Sequence, residues 1–238
     1  MDIHHRHEWN ITPEAAIALQ REMTRELIFD RPLSLSAITL IAGVDVSVKT
    51  NAATGQAISQ AAIAVLTYPE LRVIETVRHQ MPTPFPYIPG LLSFREGPVL
   101  EEAFKQVTHE PDVLIFDGMG RAHPRRIGIA AHMGLWLQRP TIGCGKTLLV
   151  GKHDPVPDER GHYSDLIHRG EVIGVALRTR PGVKPVYISP GHLADLPSAI
   201  EVVMACVTRY RLPEPIRAAH RAAGEFDPTT DSGMKRLL

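Results

Sequence analysis

The sequence predicts an α/β protein in which helices flank a central mixed β-sheet. Three strand-like segments come first, at residues 37–49, 59–68 and 71–80, and short connections join them as in an antiparallel meander. Helical and strand-like segments then alternate through the rest of the chain. A meander followed by such alternation favours one sheet that holds both antiparallel and parallel strands.

The first elements follow from local patterns. Apolar residues recur at helical spacing over residues 13–28, and Thr12 is the expected N-cap of this helix. In the strand at 37–49 the apolar side chains alternate on one face, and Asp45 lies on the other. Residues 81–90 contain four prolines, which predicts a stiff, extended loop because proline can continue neither a sheet nor a helix.

The later elements alternate in type. A helix is predicted to begin at Pro98 and run to residue 109, and a short, buried strand follows between Asp112 and Asp117. The remaining predicted elements are a helix at 125–138, strands at 140–145, 171–178 and 185–189, and a helix at 195–209 capped by Asp195. No repeat, linker or charge run divides the chain, so one domain over residues 1–238 is expected, with frayed ends at 1–10 and 225–238.

Composition narrows the class of protein. The chain has 238 residues, of which 44% are hydrophobic and 22% charged, enough for a substantial core. No apolar run reaches the roughly 18 residues needed to cross a bilayer, and no signal segment is evident, so a soluble, cytoplasmic protein without a membrane partner is expected. The net charge of zero argues against non-specific coating of nucleic acid but is compatible with a local basic groove.

The segment from Val113 to Arg126 is the most informative for chemistry, because Asp117 directly follows an apolar strand and cations follow Asp117. Asp45 also interrupts an apolar strand, and burying a lone carboxylate is costly unless it is paired or bound to a cation. If the two strands are neighbours, Asp45 and Asp117 lie about 5 Å apart. Oxygen ligands then favour Mg²⁺, with Mn²⁺ as a substitute. The alternative is that Asp45 caps a turn.

Three other positions have open interpretations. Glu96 is expected at the mouth of a helix, where an acid ordinarily stabilises the helix dipole, and it joins a metal site only if it meets the two aspartates. Lys146 follows a glycine as in a nucleotide-binding loop, but Pro140 stands where that loop requires glycine. Lys146 either contacts phosphate or is solvated. The aromatic residues between the prolines of 85–89 either stack on bases or pack on the core.

Five segments in the same order resemble the endonuclease V family of deoxyinosine 3′-endonucleases. They are PYIPGLLSFREGP, FDGMGRAHPRRIGIAAHMG, PTIGCGKTLLVGK, ISPGH and RLPEPIRAAH, and the resemblance extends from about residue 41 to residue 220. It implies a ribonuclease H-like fold. It also implies that the metal ligands are Asp45, Asp117 and Glu96, and that the catalytic residues are these three with Lys146 and His220.

The resemblance further implies how DNA is bound. Tyr87 would be the wedge that separates the strands at the lesion, and the Gly-Met-Gly turn would let the backbone approach a flipped base. The residues expected to contact DNA are Tyr87, Pro86, Ile88, Gly118, Gly120 and His123. The histidines have the alternative that a lone histidine is more often structural or exposed.

The expected activity is metal-dependent nicking of the second phosphodiester bond 3′ to deoxyinosine, leaving 3′-hydroxyl and 5′-phosphate ends, by a monomer. One alternative is an endoribonuclease acting on inosine-containing RNA. Another is a non-cleaving binder of deaminated nucleic acid, which the presence of all three acids disfavours. A nucleotide hydrolase is disfavoured by Pro140.

Overall fold

A computed structural model describes residues 1–229, and within that range the strands form one sheet. The strands are β1 (Leu40–Thr50), β2 (Ala57–Thr67), β3 (Val73–Pro82), β4 (Val113–Phe116), β5 (Thr141–Gly145), β6 (Tyr163–His168), β7 (Glu171–Leu177) and β8 (Val186–Pro190). The α-helices are α1 (Pro13–Met23), α2 (Leu92–Phe104), α3 (Ile129–Leu137), α4 (Leu196–Ala205) and α5 (Glu214–Gly224).

The strand order is β3-β2-β1-β4-β5-β8-β7-β6. Strands β1, β2 and β3 form an antiparallel meander, whereas β1, β4 and β5 are mutually parallel. Strands β8, β7 and β6 continue the sheet in antiparallel fashion. The predicted meander and the predicted α/β architecture with a central mixed sheet are both confirmed.

Helices cover both faces of the sheet, and side-chain alternation along β1 and β4 decides which face each residue meets. Ala42, Val44, Leu114 and Phe116 pack into one core with α2 and α3. Their neighbours in sequence pack into a second core, with α4 and α5, which includes Ile41, Val113, Ile115, Val202 and Ala219. Asp45 therefore lies opposite the Ala42–Val44 face, as predicted, on the side of α5.

The prediction that a helix begins at Pro98 is wrong, because α2 begins at Leu92 and contains Pro98 in its interior. A proline inside a helix removes one hydrogen bond and is costly on its own. Here Phe94, Pro98 and their neighbours are buried, so tertiary packing outweighs the local preference. As a consequence Glu96 lies within the helix rather than at its mouth.

Two elements that the sequence reading missed are β6 and α5. Helix α5 is rich in alanine and charged residues, which segregate to opposite sides of the helix. The residues that it buries are Pro215, Ile216, Ala219, Ala222 and Ala223. Among the other helices, Thr12 and Asp195 are the predicted N-caps and accept from Ala15 N and Ser198 N. The helix predicted at 125–138 is shorter, at Ile129–Leu137.

The N-terminal segment packs on the molecule, in contrast to the expected fraying. Trp9 stacks on Trp136 with ring centroids 4.5 Å apart, and His7 Nε2 lies 2.7 Å from His132 Nε2. Near the other end, Lys49 Nζ donates to Phe226 O at 2.7 Å. The rest of the segment expected to fray, residues 230–238, lies outside the described residues. Within residues 1–229 no helix is long and apolar enough to span a membrane.

Candidate metal centre and adjoining cleft

Asp45 and Asp117 occupy equivalent places on neighbouring parallel strands. Val44 of β1 is paired with Phe116 of β4, and each of these two residues is followed by an aspartate. The amide of Asp117 donates to Val44 O at 2.8 Å, which continues the parallel ladder to this point. Both side chains are about nine-tenths buried. The predicted adjacency of the two carboxylates is therefore present, and it follows from strand register.

His220 and Lys146 complete the polar cluster. Asp45 Oδ2 lies 2.6 Å from His220 Nδ1, and Lys146 Nζ forms an ion pair with Asp117 Oδ2. Lys146 Nζ is also 3.1 Å from His220 Nδ1. Asp45, Asp117 and His220 each offer a ligand atom, and these atoms lie within 4.8 Å of one another. Three potential ligands thus converge from β1, from the end of β4 and from α5.

The close approach of α5 to β1 depends on Gly43. A β-carbon on Gly43 would overlap the carbonyl group of Pro215 in the first turn of α5. The other end of α5 is held by Lys49 Nζ and Gln60 Nε2, which donate to Gly224 O and Ala222 O at 2.8 Å each. These contacts fix the helix along its length, so His220 is placed over Asp45.

The carboxylates repel one another in a low-dielectric environment. Burial, followed by the charge of Asp117, raises the pKa of Asp45, and hydrogen bonding to His220 only partly offsets these effects. Burial also raises the pKa of Glu96 well above its usual value, and Asp45 and Asp117 raise it further. Glu96 is therefore within electrostatic reach of both aspartates, although it is not one of the three converging ligands.

The donor set fits a divalent cation. The two carboxylates are ligands that suit Mg²⁺ and Mn²⁺, and a cation would relieve the repulsion that raises the pKa of Asp45. The imidazole makes the set softer than the oxygen-only set expected from Asp45, Asp117 and Glu96. His220 thus joins the two aspartates as a third potential ligand, and Glu96 lies within electrostatic reach of both.

A cleft of about 630 Å³ opens directly above this cluster. Its walls include Tyr87 and Ile88 from the proline-rich loop, and Gly118 and His123 from the loop after β4. Tyr87 is 71% exposed, so its ring is available to a ligand. The other lining residues include Ser47, Leu92, Ser93, Met119, Ile127, Ile129, Lys146, Leu148 and Leu149.

Two of the residues expected to contact DNA do not line the cleft. Pro86 is exposed next to Tyr87 at the loop tip, outside the cleft wall. Gly120 is buried, its amide donates to Ser189 Oγ at 2.9 Å, and a β-carbon there would overlap Pro190 O. The glycine turn therefore presents Gly118 to the cleft, while Gly120 packs the turn against β8.

His123 is buried and neutral. Burial and the charge of Arg125 lower the pKa of His123 to about 4. His123 Nε2 is 3.0 Å from Gly90 O, and its Nδ1 accepts from Arg125 N at 3.2 Å. Because a carbonyl oxygen can only accept, the neutral ring carries its proton on Nε2. Its contacts hold the loop that bears Tyr87.

Sequence reasoning missed several residues around the cleft, among them Gln20, Ser93 and Leu149. Gln20 is a fully buried polar residue in an amphipathic helix. An uncharged polar residue on the apolar side of α1 was the only available signal for it, because buried polar groups require partners.

Comparison with known proteins agrees with this geometry. The family model of endonuclease V matches residues 21–221. Endonuclease V of Nostoc sp. is 48% identical over 223 residues, covering 94% of this chain and 99% of the relative. The crystal structure of endonuclease V from Bacillus subtilis superposes with a TM-score of 0.90 at 33% identity, covering 94% of this chain and 96% of that one.

A structure from Ciona intestinalis adds a bound nucleic acid. It is endonuclease V in complex with a 24mer DNA containing an inosine followed by a ribo-adenosine, with a TM-score of 0.77 at 27% identity. The superposition covers 89% of this chain and 96% of the Ciona intestinalis chain. The mixed sheet with flanking helices is thus the ribonuclease H-like fold of these nucleases, which act on phosphodiester bonds. This chain belongs to the endonuclease V family.

Proposed function

We propose that this protein is a metal-dependent endonuclease that nicks the second phosphodiester bond 3′ to deoxyinosine in DNA, leaving 3′-hydroxyl and 5′-phosphate ends. The observation that carries the proposal is the position of the Asp45–Asp117–His220 cluster at the floor of a cleft whose wall bears an exposed Tyr87. The cluster supplies a site for chemistry on a phosphate, and the cleft supplies room for a base.

The catalytic roles are divided among five residues. Asp45, Asp117 and His220 would hold a Mg²⁺ ion, or Mn²⁺ in its place, and a bound divalent cation supplies phosphate binding and water activation. Lys146, which pairs with Asp117, would offset negative charge that develops on the phosphate in the transition state. Glu96, which lies within electrostatic reach of both aspartates, would position the attacking water or hold a second cation.

The base would enter the cleft and leave a gap in the duplex. Tyr87, with Ile88 beside it, would fill that gap by stacking on the neighbouring base pair. Gly118 lines the cleft without a side chain, so the backbone can approach a base there. The complex of the Ciona intestinalis relative with inosine-containing DNA supports an inosine-directed reaction.

The test is a nicking assay on a duplex with a single deoxyinosine, with the cut position mapped and the metal varied. Cleavage in Mg²⁺ one bond beyond the lesion's own 3′ phosphodiester is expected, and cleavage of a matched adenine duplex is not. Asp45→Ala should abolish nicking while DNA binding persists, whereas Asp165→Ala, an exposed change on β6, should have no effect. Unchanged nicking by Asp45→Ala would refute the metal assignment.

The same assay decides the competing functions. Preferred cleavage of an inosine-containing RNA strand would make the protein an endoribonuclease. Tight binding of inosine DNA without cleavage in any divalent metal would make it a binding protein. We also propose that the chain acts as a monomer with one domain, and light scattering of the protein alone and bound to DNA tests this.

A further inference from the structure

The carbonyl oxygen of Gly90 accepts hydrogen bonds from three side chains. The donors are Gln20 Nε2 at 3.1 Å, His123 Nε2 at 3.0 Å and Arg125 Nη2 at 2.6 Å. Gly90 has φ +81°, in the region that favours glycine, and it ends the proline-rich loop that carries Tyr87. A carbonyl oxygen usually accepts one or two hydrogen bonds, so three donors on this oxygen hold Gly90 firmly in place. We call this contact the Gly90 anchor.

Gln20 connects the anchor to helix α1. Its side chain is fully buried, and its Oε1 accepts from Arg125 Nε at 2.5 Å while its Nε2 donates to Gly90. The amide therefore closes a ring of hydrogen bonds with Gly90 and Arg125. Thr24, one turn later, has its Oγ1 2.6 Å from Gln20 O and 3.1 Å from Arg125 O, so it lies between the same two residues.

The N-terminal end of the proline-rich loop is also anchored, and the tip of the loop is exposed. Thr83 Oγ1 is 2.7 Å from Ser59 Oγ, and Phe85 is buried with its carbonyl accepting from Arg95 Nη1 at 3.0 Å. Pro86 and Tyr87 are exposed between the two anchors. The position of Tyr87 over the cleft is therefore set by one anchor on β2 and α2 and by the second at Gly90.

We propose that Gln20 is a positioning residue that, through Gly90 and Arg125, sets the place of Tyr87 over the cleft and so sets the discrimination between inosine and an undamaged base. This rests on the proposed function. A wedge must insert at one step of the duplex, and a misplacement of about 1 Å is enough to weaken catalysis strongly. Gln20 also lies just before the stretch matched by the family model, 21–221, so that match does not include it.

The variant that tests the proposal is Gln20→Met. Methionine is similar in volume and helix propensity but lacks the amide, so it removes both hydrogen bonds and keeps the packing. Gln106→Met is the matched control, because Gln106 bonds to His79 and Glu102 outside the cleft. Two quantities are measured: hydrogen exchange of loop 83–90 in the free protein, and the ratio of kcat/KM for inosine and adenine duplexes.

We expect Gln20→Met to speed exchange in loop 83–90 and to lower the discrimination ratio about tenfold, the effect of losing a hydrogen bond to a charged group. The lower ratio should come from a higher KM for the inosine duplex. The metal concentration that gives the half-maximal rate should not change. Gln106→Met should change neither quantity.

Two results would overturn the inference. Unchanged loop exchange in Gln20→Met would show that Gln20 does not anchor the loop. Faster exchange with an unchanged discrimination ratio would show that the anchor does not control recognition. If the unaltered protein shows no preference for inosine, the proposed function fails, and loop exchange alone then decides whether Gln20 is the anchor.

Discussion

The indole ring of Trp9 occupies the space in which a β-carbon on Gly97 would lie. Gly97 follows Glu96 in α2, and Trp9 Nε1 donates to Glu101 Oε2 one turn further on at 2.8 Å. The N-terminal segment, expected to fray, thus holds the helix that carries one of the proposed catalytic acids.

This contact predicts that Gly97→Ala changes the free energy of unfolding in opposite directions in the presence and in the absence of Trp9. Gly97→Ala should destabilise the protein by about 1–3 kcal/mol, because the added methyl overlaps the indole. In a Trp9→Ala background the same change should stabilise by about 0.5–1 kcal/mol, since alanine is the better helix former. Urea unfolding measures both. An equal cost in the two backgrounds would mean that Trp9 is not what excludes the β-carbon.

Asp45→Asn should leave the metal-free protein as stable as the unaltered chain or more stable, by about 1 kcal/mol, because a buried charge beside Asp117 is removed. The amide can still accept from Val46 N, the contact that Asp45 Oδ1 makes at 2.8 Å. Mn²⁺ should raise the Tm of the unaltered protein and not that of the variant. A loss of metal-free stability would contradict the proposed repulsion.

Gly43→Ala should destabilise the protein by at least about 2 kcal/mol, because the added methyl would meet the backbone of Pro215, which cannot rotate away. Since α5 carries His220, nicking should fall even at temperatures where the variant is folded. Gly224→Ala is the matched control, as a β-carbon there meets no atom within 4 Å. Thermal unfolding and nicking rates measure both effects, and a Gly43→Ala protein with normal activity would be inconsistent with the packing.

Buried His123 and His132 should lower stability as the pH falls from 6.5, while the raised pKa values of Asp45 and Glu96 act in the opposite direction. Burial lowers the pKa of His123 to about 4 and that of His132 well below its ordinary value, so both are neutral in the folded protein and protonated in the unfolded chain below 6.5. The stabilisation is thus complete above pH 6.5 and lost towards pH 4, at up to about 1.4 kcal/mol per pH unit for each histidine.

Urea unfolding at several pH values between 4.5 and 7.5, a range chosen to span the histidine transitions, measures this slope. His132→Gln should reduce it, whereas His162→Asn, at an exposed position, should not. An equal pH slope in His132→Gln and in the unaltered protein would rule out the neutral, buried state of His132.

Two helices, α2 and α5, differ from what the sequence predicted. Pro98 indicated a helix start by its usual place in the first turn, but burial of Phe94 and the contact of Trp9 with Gly97 placed it inside α2. Helix α5 was missed although its buried residues recur at helical spacing, with charged residues on the opposite side. For α2 the deciding contacts come from residues far away in sequence.

The sequence by itself determined the first three strands, the helix–strand alternation after them, the caps at Thr12 and Asp195, and the two aspartates in or directly after apolar strands. These features depend on neighbours within a few residues, so local periodicity reveals them. The tertiary structure decided that Asp45 and Asp117 meet, that His220 lies beside them, and that Gln20 reaches Gly90. Such relations depend on strand register and on packing between distant elements, and no local pattern encodes the distance between two atoms brought together by the fold.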